Sequence, residues 1–237
     1  MSKLSFDKGY KKERMNKMKD GSKESRKHAA VQEFYHYLFP IIKSGNIPYI
    51  TLSQQEVAMA DQFAEDRLAY KIQLNDLGYT TDAKGRGDSI NASFRGSTGA
   101  RAEDGSKIAF ARHGIDVTID KTRGTSREKN TPDIVFQHNG RTYELGVKAC
   151  TGRNLPVISR FQHTYPQLFC YVENLDDGSC KVYLLGVGYP KILNDERNRS
   201  DEAVADPNML YKKTGFKGFK WLVSWDNYIS RIINKAS

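Results

Sequence analysis

Thr131-Pro132-Asp133-Ile134-Val135-Phe136 runs through Gln137-His138-Asn139-Gly140-Arg141 into Thr142-Tyr143-Glu144-Leu145-Gly146-Val147-Lys148. Asn139-Gly140 lies between two runs of β-branched and aromatic residues. That is a hairpin signal, because a type I′ turn requires positive φ at both central residues. The stretch therefore predicts paired strands over 133–136 and 142–148, with Asp133 opposite Gly146. Side chains alternate along a strand, so Glu144, Gly146 and Lys148 share one face while Tyr143, Leu145 and Val147 share the other. The apolar face belongs to a core, and the charged face looks into a cleft.

An acid on one strand, with an acid and a lysine on its neighbour, suits a hard divalent cation. Carboxylate oxygens hold the ion, and an amine stands beside a scissile phosphate. The ion acidifies a bound water and neutralises developing charge, while the lysine orients or deprotonates that water. On Pro132-Asp133 and Lys148 the segment resembles the PD-(D/E)XK nuclease superfamily, to which many type II restriction endonucleases belong. The resemblance implies a mixed α/β restriction-endonuclease-like core, a central mixed β-sheet flanked by helices. It also implies Mg²⁺ (or Mn²⁺) as cofactor, with Asp133 as metal ligand and Lys148 as catalytic residue.

The pattern departs from that family at one position. The residue two before Lys148 is Gly146, and the nearest acid, Glu144, stands four before it, about 13 Å along the strand instead of roughly 7 Å. Three accounts are open. Gly146 clears room for a carboxylate from Glu144 or another element, since a strand glycine often marks a bulge or a close approach. Or the hairpin loop has four residues, bringing Asp133 nearer Glu144. Or the site is silent and the fold only binds.

Ser53-Gln54-Gln55-Glu56 is a capping box that starts a helix. Val57, Ala60, Ala64, Leu68 and Ile72 continue at helical spacing, and Gly78 follows Leu77, which predicts a helix over 54–77. Glu65 lies beside its apolar stripe. The stretch is similar to the first core helix of the same superfamily, where a Glu often completes the metal site. Glu65 thereby joins Glu144 as a candidate catalytic and metal-binding carboxylate; its alternative is a solvated surface charge.

The chain has 237 residues, 38% of them hydrophobic and 11% aromatic, enough for one core. No apolar run reaches the ~20 residues of a membrane span, and no signal-like apolar segment opens the chain, so a cytoplasmic protein without membrane contact is expected. Cys150, Cys170 and Cys180 form no metal or disulfide pattern and are expected reduced and buried. His28, His36, His113, His138 and His163 show no zinc spacing. No nucleophile elbow or Walker loop occurs, and no small-molecule cofactor beyond the metal is expected.

The net charge is +9, and residues 1–27 hold ten Lys or Arg against four Asp or Glu. A basic N-terminal arm of this kind fits phosphate contacts whose affinity falls with salt, or else a solubilising tail. Two further stretches read as nucleic-acid loops. Residues 82–107 interleave Gly85, Gly87, Gly96, Gly99 and Gly105 with Lys84, Arg86, Arg95, Arg101 and Lys107, a flexible backbone with spaced cations. Lys121, Arg123, Arg127 and Lys129 directly precede the Pro-Asp, and Arg153 and Arg160 follow Lys148.

Residues 28–50 read as an aromatic-rich helix ending near Pro40 or shortly after. Ile115, Val117 and Ile119 alternate with polar residues as a strand. Leu168–Val172 and Lys181–Leu185 form strands joined at Asp176-Asp177-Gly178. Pro156 and Pro166 exclude a long helix between them. Residues 191–208 read as a polar surface excursion. In 212–225 the aromatics belong to the core or stack on bases, and Trp225–Ile233 closes as a helix. The domain reading is an arm at 1–27 and one nuclease-like domain at 28–237, with its core at about 53–190 and a C-terminal extension at 191–237.

The expected function is Mg²⁺-dependent endonucleolytic hydrolysis of double-stranded DNA by a sequence-specific enzyme. A two-fold homodimer matches a palindromic site. The alternatives are a catalytically silent DNA-binding or regulatory protein, and an RNase H-like two-metal nuclease built on Asp116, Asp120, Asp133 and Glu144, which leaves Lys148 without a role.

Overall fold

The computed structural model describes residues 30–73, 89–119, 132–160, 162–200 and 213–234. Its centre is the predicted hairpin, β3 (Ile134–His138) and β4 (Arg141–Thr151). Asn139 and Gly140 have φ of 50° and 70°, the left-handed values that a type I′ turn needs. The register runs from His138 opposite Arg141 to Ile134 opposite Leu145, which continues to Asp133 opposite Gly146. The two-residue loop is therefore correct, and the four-residue alternative is excluded.

β4 extends past the hairpin and pairs in parallel with β6 (Gln167–Asn174). β6 turns through Asp176-Asp177-Gly178 into antiparallel β7 (Cys180–Gly188), and β7 pairs with β1 (Tyr49–Leu52). With the short β2 (Thr118–Ile119) beside β3, the sheet order is β1-β7-β6-β4-β3-β2. One parallel contact among antiparallel ones makes this a mixed sheet in a mixed α/β protein. Gly186 has φ of 127° and stands where the β6–β7 register shifts; a Cβ there would lie 2.7 Å from the Val223 carbonyl oxygen, so glycine lets the backbone of 223 approach.

The two faces of the sheet carry separate cores. Leu145, Val147, Leu168 and Val182 meet Ala102, Ala109 and Phe110 of the long helix over 89–111, together with Trp225, Tyr228, Ile229 and Ile232 of the closing helix Trp225–Asn234. On the opposite face Cys150, Phe169 and Leu185 pack with Phe34, Leu38, Leu155, Ile158 and Phe216, with Phe169 stacked on Phe216 at 4.3 Å. Fully burying each such side chain contributes about 1.5–3 kcal/mol. All three cysteines are buried and free.

Numbered along the chain, α1 spans 30–43, α2 is Gln54–Gln73, α3 is Ser89–Ala111, α4 is Pro190–Leu193 and α5 is Trp225–Asn234. α1 ends at Lys43, as expected shortly after Pro40. A π-helical turn at Phe34–Leu38 precedes the proline, and the wider turn accommodates a residue with no N–H to donate and a ring that crowds the preceding turn. α2 begins as the capping box predicts, with Glu56 Oε2 accepting from Ser53 N at 2.7 Å and Ser53 Oγ accepting from Glu56 N at 3.3 Å. The predicted end over 74–77 lies outside the described residues.

Two expectations differ from the structure. Residues 89–107 are not a loop: they belong to α3. Glycine reads as flexible backbone in sequence, yet Gly96 abuts Ala64 of α2 and Gly105 abuts Val182 of β7, so these glycines are points of close packing. Residues 191–200 are not a plain surface excursion, because Leu193, Asn198, Arg199 and Ser200 are buried and β8 (Arg199–Ser200) joins β9 (Lys213–Phe216) and β5 (Val157–Ser159) in a second sheet. The segment read as a C-terminal extension supplies α5 to the first core, and β1 precedes the expected core start at 53. Among the described residues no helix is long and apolar enough to cross a membrane.

Candidate functional site

Where β3 ends its pairing with β4, the next β4 donor facing β3 is the Val147 N–H. The Asp133 carboxylate takes the place of a ladder carbonyl there, and its Oδ2 accepts that N–H at 2.6 Å. The strand pairing has thus anchored one buried carboxylate at the point where two strands part. The Lys148 ammonium stands 3.7 Å from the same Oδ2 and donates to the Val147 carbonyl at 3.2 Å. Lys148 remains half-buried, with 29% of its side chain exposed, so it can reach a ligand entering from solvent.

Gly146 and Gln167 are register partners on β4 and β6, and Gly146 N donates to Pro166 O at 3.0 Å. Alternation places Asp133, Gly146, Lys148 and Gln167 on the face opposite α3. The Gln167 carboxamide lies over Gly146: a Cβ built there would meet Gln167 Cδ at 2.6 Å and Nε2 at 2.7 Å. Gln167 is 2% exposed, and its buried Oε1 has no hydrogen-bond partner among the described residues.

His163 borders this group. Its ring Nε2 donates to Ser159 O at 3.0 Å, and its backbone is clasped by Asn194, which accepts from His163 N and donates to His163 O. Burial, then the positive charges of Lys148 and Arg199, lower its pKa to about 4, so the ring is neutral. Arg199 donates to Glu196 Oε1 at 2.5 Å and to Leu193 O through Nε at 3.1 Å and Nη2 at 2.9 Å. The site carries an acid, an amine and a neutral imidazole nearby, a set able to bind a cation and handle a proton at a phosphate.

The remaining predicted carboxylates do not join Asp133. Glu65 is exposed on α2, which packs on α3, the helix covering the other face of the sheet. Glu144 is on the Gly146 face but two residues further out, opposite Val135 and exposed, beside Thr164, Tyr165 and Arg231. Among the described residues no three His, Cys, Asp or Glu side chains converge on one point. Asp133, Glu144 and Glu65 therefore do not form a carboxylate triad, because the two-residue step and the intervening sheet keep them apart. Asp116 is exposed and Asp120 lies outside the described residues, so the RNase H-like cluster is not assembled among the residues described.

The predicted nucleic-acid contacts divide similarly. Arg86, Lys121, Arg123, Arg127 and Lys129 lie outside the described residues, as does the arm at 1–27. Arg95 lies on α3. Arg101 is engaged by Asp61 and Asn174, and Arg160 is buried, 3.7 Å from Glu196, so neither is presented to a strand of nucleic acid. Arg153 is exposed, its guanidinium 5.7 Å from the Tyr35 ring centroid, and remains available. Sequence reasoning missed Gln167 and His163. A glutamine carries no motif signal, and only the parallel β4–β6 register brings it to Gly146.

Comparison with family models, with curated proteins and with solved structures returned no match for this chain.

Proposed function

We propose that this protein is a Mg²⁺- or Mn²⁺-dependent endonuclease that hydrolyses double-stranded DNA, on a restriction-endonuclease-like core, sequence-specifically and as a homodimer. The observation that carries the reading is the pair of Asp133 and Lys148, 3.7 Å apart where β3 and β4 separate. The residues present fit a hard cation: Asp133 offers a carboxylate oxygen, and Gln167 Oε1 is a buried acceptor that meets no donor among the described residues. Such an ion, when bound, supplies an acidified water and neutralises charge on the phosphate.

The chain's own groups account for the rest. The Val147 N–H fixes Asp133 against rotation, so its carboxylate is oriented before a ligand arrives. Lys148, held beside it, orients the attacking water and carries positive charge toward a phosphate oxygen. The neutral His163 adds no third positive charge beside Lys148 and Arg199.

Incubating the full chain with supercoiled plasmid, with Mg²⁺ or with EDTA, tests the reading. Discrete linear products only with Mg²⁺ support it, and a smear indicates cutting without sequence preference. Intact plasmid across several substrates, with binding that weakens as salt rises, favours the second reading, a silent DNA-binding protein. The feature behind that alternative is Gly146, which removes a carboxylate from the strand that carries Lys148.

A further inference from the structure

We infer that Gln167 is the second protein ligand of the metal site, its carboxamide oxygen standing where a side chain at 146 would otherwise project. The inference rests on the nuclease reading and deepens it.

Three observations converge. Gly146 and Gln167 are cross-strand partners, and the Gly146 N–H to Pro166 O bond fixes the start of β6 beside Gly146. The Gln167 carboxamide fills the volume that any Cβ at 146 would need. Its Oε1 is buried and meets no donor among the described residues, while the Asp133 carboxylate and Lys148 ammonium occupy the same face. Native proteins leave few buried polar atoms unpaired, and an orphan acceptor on the sheet face that carries a carboxylate is suited to a cation. Glycine at 146 is then a requirement of the arrangement, since even a methyl group would displace the carboxamide.

The chemistry differs from that of a two-carboxylate site. Amide oxygens ligate hard cations but bring no charge, and affinity for such ions follows ligand charge count. Among the described residues of this group only Asp133 would bring negative charge, so an ion bound here would be held weakly without further oxygens from a phosphate.

Mn²⁺ binding to the full chain, read from loss of the free-ion paramagnetic resonance signal, tests this independently of cleavage. Gln167→Ala should raise the Kd about tenfold or more, as removal of metal-site partners commonly does. Gln167→Glu, nearly isosteric, should lower it by a similar factor. Gly146→Ala should weaken binding as Gln167→Ala does, although it removes no ligand. The double variant Gly146→Glu with Gln167→Ala, which moves the oxygen back to β4, should restore binding.

Wild-type affinity in both Gln167 variants, with loss in Asp133→Asn, overturns the inference and leaves the nuclease reading standing. No Mn²⁺ uptake at millimolar concentration together with intact plasmid overturns both, as does an affinity that Asp133→Asn leaves unchanged. Should Gln167→Ala fail to fold, Gln167→Glu carries the test alone.

Discussion

Two cation–carboxylate pairs in this molecule are built to opposite specifications. Arg101 on α3 holds Asp61 of α2 by two bonds, Nε to Oδ1 at 2.8 Å and Nη2 to Oδ2 at 2.5 Å, and its Nη1 donates to Asn174 Oδ1 at 2.7 Å. Lys148 and Asp133 are 3.7 Å apart, and Lys148 is the more exposed partner. A planar guanidinium in a bidentate pair is geometrically committed, whereas an ammonium on a flexible stem can turn to another anion. The first pair joins elements; the second has capacity left for a ligand. In a chain of net charge +9, the engagement of a cation tells more about its role than its presence does.

The largest effects are expected at the loose pair. Lys148→Ala or Asp133→Asn should lower cleavage about 10³-fold, within the range for loss of a positioned proton-handling or charge-stabilising group, while salt-sensitive DNA binding persists. Near wild-type rates in either variant would remove the functional half of the contrast.

The surroundings of the loose pair should also show in the pH dependence of stability. His163 has its pKa lowered from 6.5 to about 4 in the folded protein, so between those values the unfolded chain binds more protons. Its contribution is complete above pH 6.5 and is lost as pH falls toward 4, by up to about 3 kcal/mol. Urea unfolding at pH 7.5, 5.5 and 4.5 should show the decline, and His163→Asn should flatten that part of it. An unchanged slope in the variant would place the acid sensitivity elsewhere.

At the committed pair, Arg101→Ala should destabilise the fold by about 1–2 kcal/mol, through lost hydrogen bonds and a partly buried acid left unpaired. The salt dependence of DNA binding should stay as in wild type. A shallower salt slope would return Arg101 to the nucleic-acid surface. The smallest effects should come from the glycines of the same helix. Gly99→Ala, whose methyl meets no atom of a neighbouring element within 4 Å among the described residues, should stabilise by about 0.5–1 kcal/mol in thermal unfolding. Gly105→Ala, whose methyl would lie 2.9 Å from the Val182 side chain, should destabilise instead.

Local chemistry made part of this structure readable in advance. Asn139-Gly140 set both turn and register, Ser53 with Glu56 set the start of α2, and alternation separated Leu145 and Val147 from Lys148. What escaped depended on partners distant in the chain. Glycine lowers helix propensity, so α3 looked like a loop until Ala64 and Val182 explained why glycine stands at 96 and 105. The parallel pairing of β4 with β6 leaves no local signature, and Gln167 was invisible for that reason. Asp133 and Lys148 were legible because one hairpin carries both; the neighbours that tune them come from β6 and the stretch after β5.

The sheet order also sets a timetable for assembly. The β3–β4 hairpin needs only its own turn and can close within about 1–10 μs. β1 is different, because Tyr49 through Leu52 pair with residues of β7 that lie far downstream. At roughly 5–20 residues per second of synthesis, Ile50 and Leu52 leave the ribosome on the order of ten seconds before their partners exist. Two deeply buried side chains of the finished protein therefore wait for their strand partner after they emerge. That edge of the nascent chain is one a chaperone would protect, because its strand partner is among the last elements of the sheet to be made.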